Sequence, residues 1–148
     1  MMKSINNRRF SRVGILWAVH LEFYANKYKN FVNNVSLSGL FVEGEFDQII
    51  GDLCIINLKQ SALYNKNIIR AVGSVSRVTE DGIALEFLSM RLDSFSFLQT
   101  TMLCKAVHPA EVSREFIMHD FLKLDGDVIY FFPHYLDRKE VKELSDIL

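Results

Sequence analysis

Residues 68–90, "IIRAVGSVSRVTEDGIALEFLSM", decide the fold class. Two runs rich in β-branched and apolar residues flank Thr79-Glu80-Asp81-Gly82. The flanks read as strands and the centre as a hairpin turn, with Asp81-Gly82 supplying residues that tolerate positive φ. Nothing in the stretch has the length or the period of a helix.

Working outward, the same pattern continues upstream. In "ILWAVHLEFY", 15–24, Ile15, Trp17, Val19, Leu21 and Phe23 fall on one face of an extended chain. Ala18, His20, Glu22 and Tyr24 fall largely on the other. "ANKY" is a turn, and "KNFVNN", "LSGLFVEG" and "LCIINLKQ" are further short strands. Glycines bound the loop "EGEFDQIIGD", and "LYNKN" is a turn signal. Six short strands with tight turns and no intervening helix specify a small antiparallel barrel, because closure removes the exposed edges of an open sheet.

Downstream of 90 the period changes. "LDSFSFLQTTMLCKAV", 92–107, places Phe95, Leu98, Met102, Leu103 and Ala106 on one helical stripe, with Asp93 as N-cap. This helix is expected to cap the barrel and to end at His108-Pro109. Residues 108–148 form a small α/β appendage. "AEVSREFIMHDFL" reads as helix, "DGD" as a turn and "VIYFF" as a short apolar strand. Asp137 and Glu140 have capping-box spacing before a last helix carrying Val141, Leu144 and Leu148, with Leu136 and Val141 as its hydrophobic staple. The expected organisation is thus an arm over 1–12, a barrel plus helix over 13–107, and the appendage over 108–148.

The 148 residues suffice for one domain with a sizeable core. The formal net charge of −1 is unevenly spread: residues 1–21 carry +4 from Lys3, Arg8, Arg9 and Arg12 with no acid, leaving −5 for the rest. A positive arm on an acidic body suits a small anion or a phosphate, whereas a DNA binder spreads basic residues over a whole face. Cys54 and Cys104 match no CxxC spacing and read as buried free thiols of a reducing cytoplasm. The apolar runs are too short to span a bilayer, and the N-terminus has no apolar signal core. His20, His108, His119 and His134 fit no metal-ligand spacing, and no nucleophile–base constellation can be assembled, so the chain reads as a binding protein without metal or cofactor.

The candidate site has two parts. Arg8, Arg9 and Arg12 supply guanidinium groups that fork onto phosphate oxygens or the O6/N7 edge of guanine, and stack on purines. In "NVSLSG", Asn34 and Ser36 are short donors and acceptors two residues apart on one face, and Gly39 lets a ligand or backbone approach closely. A ligand bearing both phosphates and guanines would engage every part.

Arg8-x-x-x-Arg12, with Arg9 as the paired arginine, and Asn34-x-Ser36-x-x-Gly39 resemble the two halves of the PilZ signature, and "AVGSVSRVTEDGIALEF" is similar to that family's closing hairpin. The resemblance covers roughly residues 6–106. It implies a six-stranded antiparallel barrel with a capping helix that binds the bacterial second messenger cyclic di-GMP. The arginines would grip phosphates and guanine edges, and the Asn-Ser-Gly segment would hold a guanine from the barrel side. It further implies a signalling role through a downstream protein partner, in motility, biofilm or exopolysaccharide control. The alternative is a nucleotide-independent adaptor in pilus or flagellar machinery. DNA and RNA are not expected partners, and the appendage is the candidate surface for a partner or a second copy.

Overall fold

The computed structural model describes residues 11–59, 69–117 and 122–148. Arg8, Arg9 and the "LYNKN" turn lie outside them. Six strands form the barrel: β1 (Val13–Phe23), β2 (Lys27–Val35), β3 (Gly39–Glu43), β4 (Leu53–Lys59), β5 (Ile69–Val78) and β6 (Gly82–Arg91). Every pairing is antiparallel, in the order β3-β2-β1-β4-β5-β6, and a β3–β6 pairing closes the ring. The barrel expected from the strand pattern is therefore present.

Period-two alternation fills its interior. Trp17, Val19, Leu21 and Phe23 of β1 meet Ile56 and Leu58 of β4, Ala71 and Val75 of β5, and Ile83, Leu85 and Phe87 of β6 in one buried cluster. Burial of a large apolar side chain contributes about 1.5–3 kcal/mol, so this alternation, more than any turn, holds the barrel closed.

The β5–β6 hairpin forms where expected, but not by the expected backbone. Neither Asp81 nor Gly82 has positive φ. Instead the Thr79 hydroxyl accepts from the amides of Asp81 and Gly82, each at 3.2 Å, while the Thr79 amide donates to the Gly82 carbonyl at 2.9 Å. Gly82 is needed for closeness: a Cβ there would overlap the Val42 carbonyl of β3. Thr79→Val, which keeps shape and removes the acceptor, is expected to cost about 1 kcal/mol in a urea melt.

The outer edge of β6 is divided between two partners. Gly82–Glu86 closes the barrel on β3, and Ser89–Arg91 pairs with β8 (Val128–Phe131), which forms a hairpin with β7 (Leu122–Asp125). The hairpin turns at Gly126, whose φ of 61° favours glycine. Thus the barrel sheet runs on into the appendage.

Helix α1 (Leu92–Lys105) covers one mouth of the barrel with Phe95, Leu98 and Met102. Its N-cap is Arg91, not Asp93. Because β6 pairs with β8 up to Arg91, the helix starts straight from the strand and Asp93 falls inside the first turn, where its Oδ1 accepts from the Ser94 amide at 2.8 Å. Cys104, expected to be buried, is exposed: it lies two residues, roughly 200°, around the helix from Met102. Cys54 is buried as expected, and desolvation pushes its thiol up to about 12, so it is inert at neutral pH.

Helix α2 (Pro109–Ile117) follows α1, with Pro109 opening it. The chain then passes through β7 and β8 to a 3-10 turn (Pro133–Asp137) and helix α3 (Lys139–Ser145). No capping box forms at α3. Asp137 stays within the 3-10 turn, and Arg138, whose amide donates to the Tyr135 carbonyl, occupies the N-cap. Val141 is buried and Leu136 packs against the same cluster, but with Arg138 as N-cap the two no longer hold the staple positions, and α3 ends at Ser145, leaving Leu148 beyond it. Together with Tyr130 and Leu144 these side chains cover Ile55, Val72 and Leu88, the apolar residues on the outer face of β4, β5 and β6.

Candidate functional site

Val35, buried at the end of β2, and Leu40, buried at the start of β3, pin the "NVSLSG" segment to the barrel wall. Between them the chain turns tightly. The Ser36 amide donates to the Gly39 carbonyl at 2.9 Å, and the Ser36 hydroxyl accepts from the Ser38 amide at 3.2 Å. The hydroxyls of Ser36 and Ser38 meet at 3.0 Å. Asn34 sits in β2 itself, across from Gly14 of β1, and is half-buried.

Gly39 opens the wall for a measurable reason. It pairs with Glu86 of β6, and a Cβ on it would overlap the Leu85 carbonyl oxygen. Gly39→Ala must therefore push β3 away from β6, which overpacking data put at about 1–3 kcal/mol. A thermal melt that matches wild type would contradict this account of the glycine.

The segment lines a groove of about 410 Å³ on the outer barrel surface, within the usual size range of small-molecule sites. Arg12, Asn34, Ser36 and Gly39 all lie on it. Four of the six expected site residues are thus brought together, while Arg8 and Arg9 lie outside the described residues. The exposed Arg12 reaches the groove because the preceding residue is fixed. The Ser11 amide and hydroxyl both donate to Glu115 Oε1 of α2, each at 2.8 Å.

Sequence reasoning missed several further residues. Ser38, Phe41, Ser76, Arg77 and Glu86 also line the groove. The Arg77 guanidinium lies over the Phe41 ring, 6.0 Å from its centroid, which stations a second cation beside Arg12. Arg77 and Ser76 take their places through a bulge between Val75 and Arg77, where the Ser76 hydroxyl donates to the Ala84 carbonyl at 3.2 Å. The break in alternation at "VSRV" is the signal that could have pointed to them. Ser38 reads as an ordinary strand residue, and only the turn geometry brings it to the groove.

The groove joins two guanidinium groups, a cluster of short hydroxyl and amide side chains, and one carboxylate, Glu86. Such a set grips anionic oxygens and reads a flat heterocycle edge. Among the described residues no group of three or more His, Cys, Asp or Glu could hold a metal ion, and no helix is long and apolar enough to cross a membrane.

The sequence matches the PilZ domain family over residues 6–102, about two-thirds of the chain. The chain belongs to the PilZ family. A solved structure similar to this PilZ protein is that of the Bacillus subtilis inhibitor of motility, MotI/DgrA, at 15% identity and a TM-score of 0.53. The similarity covers 78% of this chain and 54% of that one, so the PilZ chain described here spans about half the length of its structural relative. At that identity the likeness concerns the fold. No curated protein matches the sequence.

Proposed function

We propose that this PilZ protein is a cyclic di-GMP receptor that passes the binding event to a protein partner. It acts as a binding module, not an enzyme, and works in the cytoplasm. What carries the reading is the convergence of Arg12, Asn34, Ser36 and Gly39 on one open groove, with Arg8 and Arg9 immediately upstream in the chain.

The energetic logic favours a doubly charged ligand. Association alone costs roughly 4–15 kcal/mol in lost translational and rotational freedom. A charge-assisted hydrogen bond returns roughly 1.5–3 kcal/mol, so two or more arginine contacts to phosphates or guanine edges are needed to offset it. Arg77, stacked over Phe41, adds a further cation from the barrel itself.

Titration calorimetry of the full chain tests the proposal, with GTP and a short single-stranded oligonucleotide as controls. Saturable heat with cyclic di-GMP alone is the expected result, and its stoichiometry gives the number of nucleotides per subunit. Absence of heat with cyclic di-GMP would refute the receptor reading in favour of a nucleotide-independent adaptor.

A further inference from the structure

Glu86 stands in the groove where neither half of the sequence motif places a residue. In the β3–β6 register it lies directly opposite Gly39. Paired residues of antiparallel strands share a face, and Gly39 has no side chain, so the Glu86 side chain forms that part of the wall. Its Oε1 accepts the Tyr135 hydroxyl at 2.9 Å. Tyr135 belongs to the 3-10 turn of the appendage, beyond the stretch that matches the family. Its ring is held in turn by Phe132, at 5.9 Å between centroids, and by His134 at 4.2 Å.

We propose that Glu86 selects guanine in the groove by accepting the N1–H and N2–H donors of one base, and that Tyr135 positions it to do so. This rests on the cyclic di-GMP reading above and deepens it. The Watson–Crick edge of guanine offers two neighbouring donors, which a carboxylate receives through its two oxygens. Adenine offers an unprotonated N1 at the same place, whose lone pair faces the carboxylate. A carboxylate has about four acceptor positions, so one bond from Tyr135 still leaves enough for the base. Burial and the Glu86 contact push the Tyr135 hydroxyl up to about 12, so it remains a donor at neutral pH. Arg12 and Arg77 lie on the same groove and offset the carboxylate's repulsion of the phosphates.

The test compares the affinities of the full chain for cyclic di-GMP and cyclic di-AMP, which share the phosphodiester ring and differ in the bases. Wild type is expected to prefer the guanine ligand. Glu86→Gln keeps the side-chain shape but replaces one acceptor by a donor, and should narrow the ratio about tenfold. Tyr135→Phe keeps the ring and loses the positioning bond, and should narrow it in the same direction by roughly threefold. A purely packing role for Tyr135 would alter melting without moving the ratio. An unchanged ratio in both variants overturns this inference alone, whereas wild type that binds neither dinucleotide overturns the receptor reading as well.

Discussion

A chain ended at Val107 is expected to lose its cooperative fold, although it retains the whole stretch that matches the PilZ family. The reason lies in where the appendage puts its apolar side chains. Ile129 and Phe131 of β8 belong to the main core, where Phe131 packs on Phe87 at 6.0 Å and on Phe95 at 5.9 Å between ring centroids. Tyr130 and Val141 are buried in the second cluster, over Ile55, Val72 and Leu88. Each such side chain is worth about 1.5–3 kcal/mol of burial. Losing four of them removes an amount comparable to the roughly 5–15 kcal/mol that separates a folded domain from its unfolded chain. It also bares the β6 edge at Ser89–Arg91. Far-UV circular dichroism and thermal melting of the truncated chain check this. A sigmoidal transition near that of the full chain would show that the barrel stands alone. Because deletion removes core residues, the proposal that the appendage receives a partner is better probed with point variants on its exposed face.

The second large effect concerns the ligand. Arg12→Ala is expected to weaken cyclic di-GMP binding by about tenfold or more, since one charge-assisted hydrogen bond of roughly 1.5–3 kcal/mol is lost and ~1.4 kcal/mol is a factor of ten. Replacing Arg8 and Arg12 together should reach about a hundredfold or more on the same scale, because two charge-assisted hydrogen bonds are then lost. Thermal melting of the same variant, measured beside the titration, separates a binding defect from a folding one. Calorimetry showing equal affinity in the single variant would take Arg12 out of the site, whatever happens at Arg8.

Particular residues show how far the sequence could be read. The alternation of Trp17, Val19, Leu21 and Phe23 made β1 legible, because the pleat sends every second side chain into the core. The stripe of Phe95, Leu98 and Met102 made α1 legible for the equivalent helical reason. Local capping is less legible. Asp93 and Asp137 have the right chemistry for an N-cap, yet the preceding strand pairing and the 3-10 turn already fix where each helix begins. At "TEDG" the Thr79 side chain supplies what the sequence assigns to positive φ at Asp81-Gly82. Cys104 has apolar neighbours in sequence but faces solvent, because helical rotation, not sequence adjacency, sets its side.

The same division runs through the site. Asn34, Ser36 and Gly39 are close in sequence, so their grouping was readable from spacing along one extended segment and a turn. Arg77 and Glu86 come from β5 and β6, and they meet that segment only through barrel closure, a bulge and the β3–β6 register. The sequence by itself determined the six alternating strands, the capping helix and the arginine and Asn-Ser-Gly elements, since each depends on a period or a short spacing. Only the tertiary structure decided that the appendage shares the core, and that Tyr135 reaches the carboxylate opposite Gly39. The Tyr135–Glu86 bond joins residues 49 positions apart, and no local pattern encodes a register that strand pairing alone sets.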